Sequence, residues 1–91
     1  MTRIVLKPHE LIAEGHAGYG HHGQDIVCAA VSVLAQTLAA CVEEQTEEAE
    51  IMPGYVHIKW VDETEAAKVI KRGFELLCEA YPNHVSFEEQ E

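Results

Sequence analysis

The sequence predicts an α+β fold, a small two-layer sandwich with two helices on one face of a mainly antiparallel sheet, in the order ββα-ββα-β. Three observations point there. The stretch from Ile26 to roughly Glu44 is apolar or small on almost every side, too long for a strand, and reads as a buried helix. Tyr55 to Val61 alternates, with Val56, Ile58 and Trp60 facing one way and Tyr55, His57 and Lys59 the other, as in a half-buried antiparallel strand. From Ala66 to Tyr81, apolar residues recur at spacings of three and four, which marks an amphipathic helix.

Taken in order, Ile4-Val5-Leu6 is a short strand, Pro8-His9 a turn, and Leu11 to Glu14 a returning strand. This hairpin ends at Gly15 and delivers His16 to the rim of a sheet. Residues 15 to 28 then hold four glycines before the apolar helix, which marks a loop with unusual dihedrals or a close backbone approach. Asp25 is placed to cap that helix through the amide of residue 27 or 28. Cys28, Ser32, Ala35 and Ala39 form a small-residue face open to close approach by another element. Glu43 to Glu50 reads as a solvated acidic connection, with a strand beginning between Ala49 and Met52 and a turn at Pro53-Gly54. Asp62 and Glu65 suit a capping box for the second helix. Pro82-Asn83 ends that helix, and a last strand runs from about His84 to Phe87 with Val85 and Phe87 inward.

Residues 1–91 read as one domain, without linkers or repeats. A chain of this length buries roughly 60–65% of its extended surface, and a 47% hydrophobic content suits a globular core. Six basic against sixteen acidic residues give a net charge of −10. That argues against direct nucleic-acid binding, which wants a basic stripe, and suits either solubility or a basic protein partner. Cys28, Cys41 and Cys78 have neither metal-site spacing nor an even count for disulfides. With no signal peptide and no apolar run of membrane length, the chain reads as cytoplasmic and reduced.

The chemistry gathers in the loop. If Asp25 is the cap, Cys28 is the third residue of the helix, where free amides and the macrodipole favour a thiolate. The nearby Asp25 carboxylate opposes that charge, and a protonated His16 beside the sulfur offsets it. His16 stands twelve residues earlier, at a strand end, and the intervening glycines let the loop fold back to bring imidazole to sulfur. The unsatisfied amides of the helix start, including that of Cys28 itself, are candidates for an oxyanion site, with Gly23, Gln24 and Asp25 as loop support. Acyl transfer, in the form of peptide hydrolysis, follows. Cys41 and Cys78 are read as structural thiols. Tyr19, His21 and His22 are read as solvated or substrate-side residues. Zinc on His16, His21, His22 and Cys28 is set aside because adjacent histidines rarely aim at one ion and no paired-cysteine motif supports them. No cofactor is expected. The missing Lys-Ser/Thr argues against a phosphate loop.

Gly15-His16-Ala17 followed by Gly23-x-Asp25-Ile26-Val27-Cys28-Ala29-Ala30-Val31-Ser32 resembles the ribosomal-processing cysteine proteases, the Prp or YsxB-like family. The resemblance is sharp over these residues and holds elsewhere at the level of element order. It implies that His16 is the catalytic histidine and Cys28 the nucleophile. It implies a small α+β homodimer that removes an N-terminal extension from a large-subunit ribosomal protein, or, in phage relatives, processes virion proteins. It also implies cleavage after an aromatic pair in an apolar segment, under a mobile loop. The N-terminal hairpin is shorter than usual for the family, and Tyr19 and the His21-His22 pair stand where relatives often carry other polar residues. The alternative is a non-catalytic module of the same fold that serves ribosome assembly or holds a basic peptide without cutting it.

Overall fold

The computed structural model of the chain describes residues 1–21 and 24–91. Its elements are β1 (Thr2–Lys7), β2 (Glu10–Glu14), α1 (Ile26–Cys41), a 3-10 turn (Glu43–Gln45), β3 (Thr46–Met52), β4 (Tyr55–Trp60), α2 (Glu65–Ala80) and β5 (Val85–Glu89). The five strands form one sheet in the order β3-β4-β2-β1-β5. The β1–β2, β2–β4 and β3–β4 pairs are antiparallel, as expected, but β5 lies parallel to β1. The sequence could not show this pairing, because the alternation of Val85 and Phe87 fixes a face and not a neighbour. Since β1 and β4 both run against β2, strands β4 and β5 point the same way, with α2 crossing between them.

The register explains the core. Ile4, Ala13 and Val56 stand in one cross-strand row, and Leu6, Leu11 and Ile58 in the next. All six are buried on the face that both helices cover. Helix α1 contributes Val27, Val31, Ala35 and Leu38, and α2 contributes Ile70 and Phe74. Phe74 stacks on Phe87, with ring centroids 6.1 Å apart. Trp60 closes the end of β4 and is fully buried; its indole N–H has no hydrogen-bond partner among the described residues.

Several expectations change. Helix α1 is not buried all round: Ile26 and Val33 are 57% and 65% exposed, because the sheet and α2 cover only part of its circumference. On its small-residue face, Cys28 and Ser32 open onto a cleft. The close approach to α2 occurs instead at Gly73, where a Cβ would fall 2.8 Å from Leu34 Cδ2. The helix stops at Cys41, and a 3-10 turn takes up the next residues. Most of the acidic run is strand and not connection: Glu47, Glu48 and Glu50 lie exposed in β3, one of the two edge strands. Glutamate is a poor strand former, yet charge on an edge prevents further strand addition, so the position tolerates what propensity disfavours. Thr64, and not Asp62, caps α2, its hydroxyl accepting the Ala66 amide. The Asp62 amide donates to the Gln45 side chain.

Asp25 does cap α1. Its Oδ1 accepts the amides of Val27 and Cys28 at 2.9 and 3.0 Å, and its Oδ2 those of Tyr19 and Gly20 at 2.9 and 3.2 Å. These donors, the Cys28 amide foremost, lower the carboxyl from 3.8 to about 2. No helix among the described residues is long and apolar enough to cross a membrane.

Two outcomes follow from the packing and the cap. A carboxyl lowered on folding lends stability that is complete above 3.8 and disappears as pH falls through about 2. Thermal melts of wild type and Asp25→Ala should therefore differ most at neutral pH and converge between pH 4 and 2; a gap unchanged down to pH 2 would contradict the cap. Trp60→Ala should cost about 3–5 kcal/mol by urea unfolding, the range for emptying a fully buried aromatic site.

Candidate active site

The site is built where β2 leaves the sheet. Gly15 has φ +96°, and a Cβ there would fall 2.5 Å from the Met1 carbonyl oxygen, so only glycine makes this turn without backbone displacement. Its N–H donates to the Gly54 carbonyl at 2.8 Å. His16 follows at once, and its ring lies over the tip of the β3–β4 hairpin. Gly54 has φ +75°, and a Cβ there would come 2.8 Å from His16 Nε2. The bare glycine gives the imidazole its seat.

Ala17 turns back into the core and is 2% exposed. Its N–H donates to Cys28 Sγ at 3.2 Å, and its carbonyl accepts from His84 Nδ1 at 3.0 Å. Cys28, on the first turn of α1, is half-buried. The amide directed at its sulfur stabilises negative charge held there.

His16 and Cys28 line the same cleft. On one side is a hollow of about 390 Å³, walled by Val31, Ile51, Met52, Tyr55 and Val56. On the other is a hollow of about 470 Å³, walled by Gly18, Gly20, Asp25 and Ala29. Both hollows are lined by His16, Cys28, Ser32, Pro53 and Gly54. A bound chain crossing from one to the other would pass the sulfur and the imidazole.

Other sequence-level candidates have different places. The Cys28 amide is not available to an oxyanion, because Asp25 Oδ1 takes it. Asp25 accepts four backbone amides, which makes it a tie between loop and helix. The Gln24 amide donates to the His21 carbonyl at 2.8 Å, and both residues are exposed. Tyr19 packs edge-on against Tyr81 and His84, at 5.2 and 5.3 Å, and does not line either hollow. The expectations for His22 and Gly23 lie outside the described residues. Cys41 is exposed at the end of α1, and Cys78 donates its thiol proton to the Val85 carbonyl. Among the described residues, no group of three or more His, Cys, Asp or Glu could hold a metal ion.

Sequence reading missed three contributors. Ser32 follows Cys28 by one helical turn, and that spacing was the available signal. The Pro53-Gly54 turn was legible as a turn, but nothing local placed it on His16. His84 carried no signal at all, because its partner Ala17 is 67 residues away.

The family described as cysteine protease Prp matches residues 1–86. Among curated relatives, the ribosomal processing cysteine protease Prp of Mycoplasma genitalium is 31% identical over 99% of this chain and 97% of its own length. The protein of the same name from Mycoplasma pneumoniae is 32% identical over 99% and 96%. Among solved structures, the fold is similar to the essential ribosomal processing protease Prp from S. aureus in complex with a covalently linked product peptide. That match has a TM-score of 0.84 and 20% identity, covering 99% of this chain and 100% of that one. The same S. aureus protease with a substrate peptide gives a TM-score of 0.78, at the same identity and coverage. A match across nearly the whole sequence, joined to relatives aligned end to end, establishes that this chain belongs to the Prp family of cysteine proteases.

Proposed function

We propose that the chain is a cysteine endopeptidase working through a Cys28–His16 dyad. The observation that carries the reading is the shared cleft, with sulfur and imidazole at the junction of two hollows. His16 takes the thiol proton, and the Cys28 thiolate attacks the scissile carbonyl carbon. Collapse of the tetrahedral intermediate breaks the C–N bond as His16 returns the proton to the leaving amine. Water, deprotonated by His16, then hydrolyses the thioester and restores the thiol. Asp25 supports the loop, and Tyr19 serves its packing.

The substrate we propose is the N-terminal extension of a large-subunit ribosomal protein. The curated relatives are named as ribosomal processing proteases, and the S. aureus protease was crystallised with a substrate peptide. The hollow walled by Val31, Ile51, Met52 and Tyr55 suits apolar side chains beside the cut. A net charge of −10 draws in a basic precursor. We propose a cytoplasmic location, which the processing of a ribosomal protein would require. Exposed Ile26, Val33, Val69 and Leu76 on α1 and α2 provide an apolar surface for a second copy, and we propose a homodimer.

Cleavage of an extended precursor peptide, followed by mass spectrometry, tests the chemistry. Cys28→Ser and His16→Ala should each lower kcat/KM by more than about 10³-fold with the fold intact. A wild type that binds the peptide as tightly as Cys28→Ala and never cuts it would make the protein a binding module instead. Gly54→Ala should displace the imidazole and lower kcat/KM by roughly 10- to 100-fold, since errors of an ångström in positioning have that effect. Unchanged kinetics in Gly54→Ala would remove the hairpin tip from the site.

A further inference from the structure

His84 lies outside the dyad, on the turn between α2 and β5. Its backbone is fixed on both sides: its amide donates to the Tyr81 carbonyl, and its carbonyl accepts the Thr2 amide, both at 3.0 Å. Its ring is half-buried. Nδ1 lies 3.0 Å from the Ala17 carbonyl oxygen. A carbonyl has no proton to give, so Nδ1 carries the hydrogen and the tautomer is set. The ring also meets the edge of Tyr19, which itself meets Tyr81, so an aromatic stack braces the imidazole against rotation.

Ala17 is the one residue between His16 and Gly18. On one side of its buried Cα, the N–H points at the Cys28 sulfur; on the other, the carbonyl is held by His84. Gly15, two residues earlier, is anchored to the Gly54 carbonyl. The His16-Ala17 segment is therefore pinned at both ends, and the pin nearer the sulfur is a side chain.

We propose that His84 is a positioning residue for the cysteine: it holds the Ala17 backbone so that the Ala17 N–H stays on the Cys28 sulfur. The proposal rests on the reading of Cys28 as the nucleophile. Its effect reaches sulfur through one backbone residue and requires no contact between His84 and substrate.

Two substitutions separate the donor from the ring. His84→Phe keeps an aromatic ring against Tyr19 and removes the N–H. His84→Asn keeps an N–H donor at the δ position and removes the ring. The readouts are the rate of Cys28 alkylation by iodoacetamide at pH 7, mapped by peptide mass spectrometry, and kcat and KM on the precursor peptide. His84→Phe should slow Cys28 alkylation roughly 3- to 10-fold, the scale of one hydrogen bond. Its kcat should fall with KM unchanged, and His84→Asn should recover most of both. Alkylation of exposed Cys41 is the internal control and should not change. Equal losses in both variants, or alkylation of Cys28 in His84→Phe at the wild-type rate, would overturn the proposal. Long-range ¹H–¹⁵N NMR of the unaltered protein gives a check that no variant's folding can confuse. It should find the His84 proton on Nδ1, and a bare Nδ1 would also overturn the proposal. The alkylation arm needs no peptidase activity. Altered alkylation in a protein that cuts nothing would keep His84 in this role and discard the protease reading.

Discussion

The carboxylate of Asp25 gathers four backbone amides, two from the loop and two from the first turn of α1. Without it, the amides of Tyr19 and Gly20 would have no common anchor, and the glycine-rich segment would be free to leave the helix. With it, the residue carrying the thiol and the chain carrying the imidazole move as one piece. The same bonds account for the acidity of the group: each amide lowers the energy of the charged form, and together they outweigh the desolvation that opposes them, leaving the carboxyl near 2. A helix cap, usually a matter of helix stability, here fixes the separation of two elements that meet at the cleft.

The rigid sheet supplies positions. β2 ends at the rim, β3 and β4 turn at Gly54, and His84 immediately precedes β5, so four strand ends converge around one helix start. The proposed dyad would then sit on element ends, an arrangement that can hold geometry through a reaction.

Much of this was legible in the sequence, and the limits are physical. The order of elements followed from the period-2 pattern of β4, the mixed three-and-four spacing of α2, and the length of α1. Asp25 as a cap and Cys28 on the first turn followed from local chemistry, because a cap needs only its own neighbours. What local pattern cannot encode was missed. β5 pairs with β1 across almost the whole chain, the edge strand β3 is built from residues that disfavour strands, and Ala17 finds His84 at long range. The surplus of apolar residues on α1 points to a buried helix, whereas Ile26 and Val33 are exposed. The fate of the Cys28 amide was misread for a related reason: a free amide at a helix start is a fair expectation until the cap takes it.

The contact between Gly54 and His16 has a practical consequence. Hairpin tips are ordinarily the safest places to open a chain, splice in an epitope tag or move the termini. This one carries the imidazole on a bare backbone, with no room for a methyl group between them. Anyone re-engineering the molecule would do better to choose the Pro8-His9 bend between β1 and β2, because an insertion at Pro53-Gly54 could leave a well-folded protein whose histidine has lost its platform.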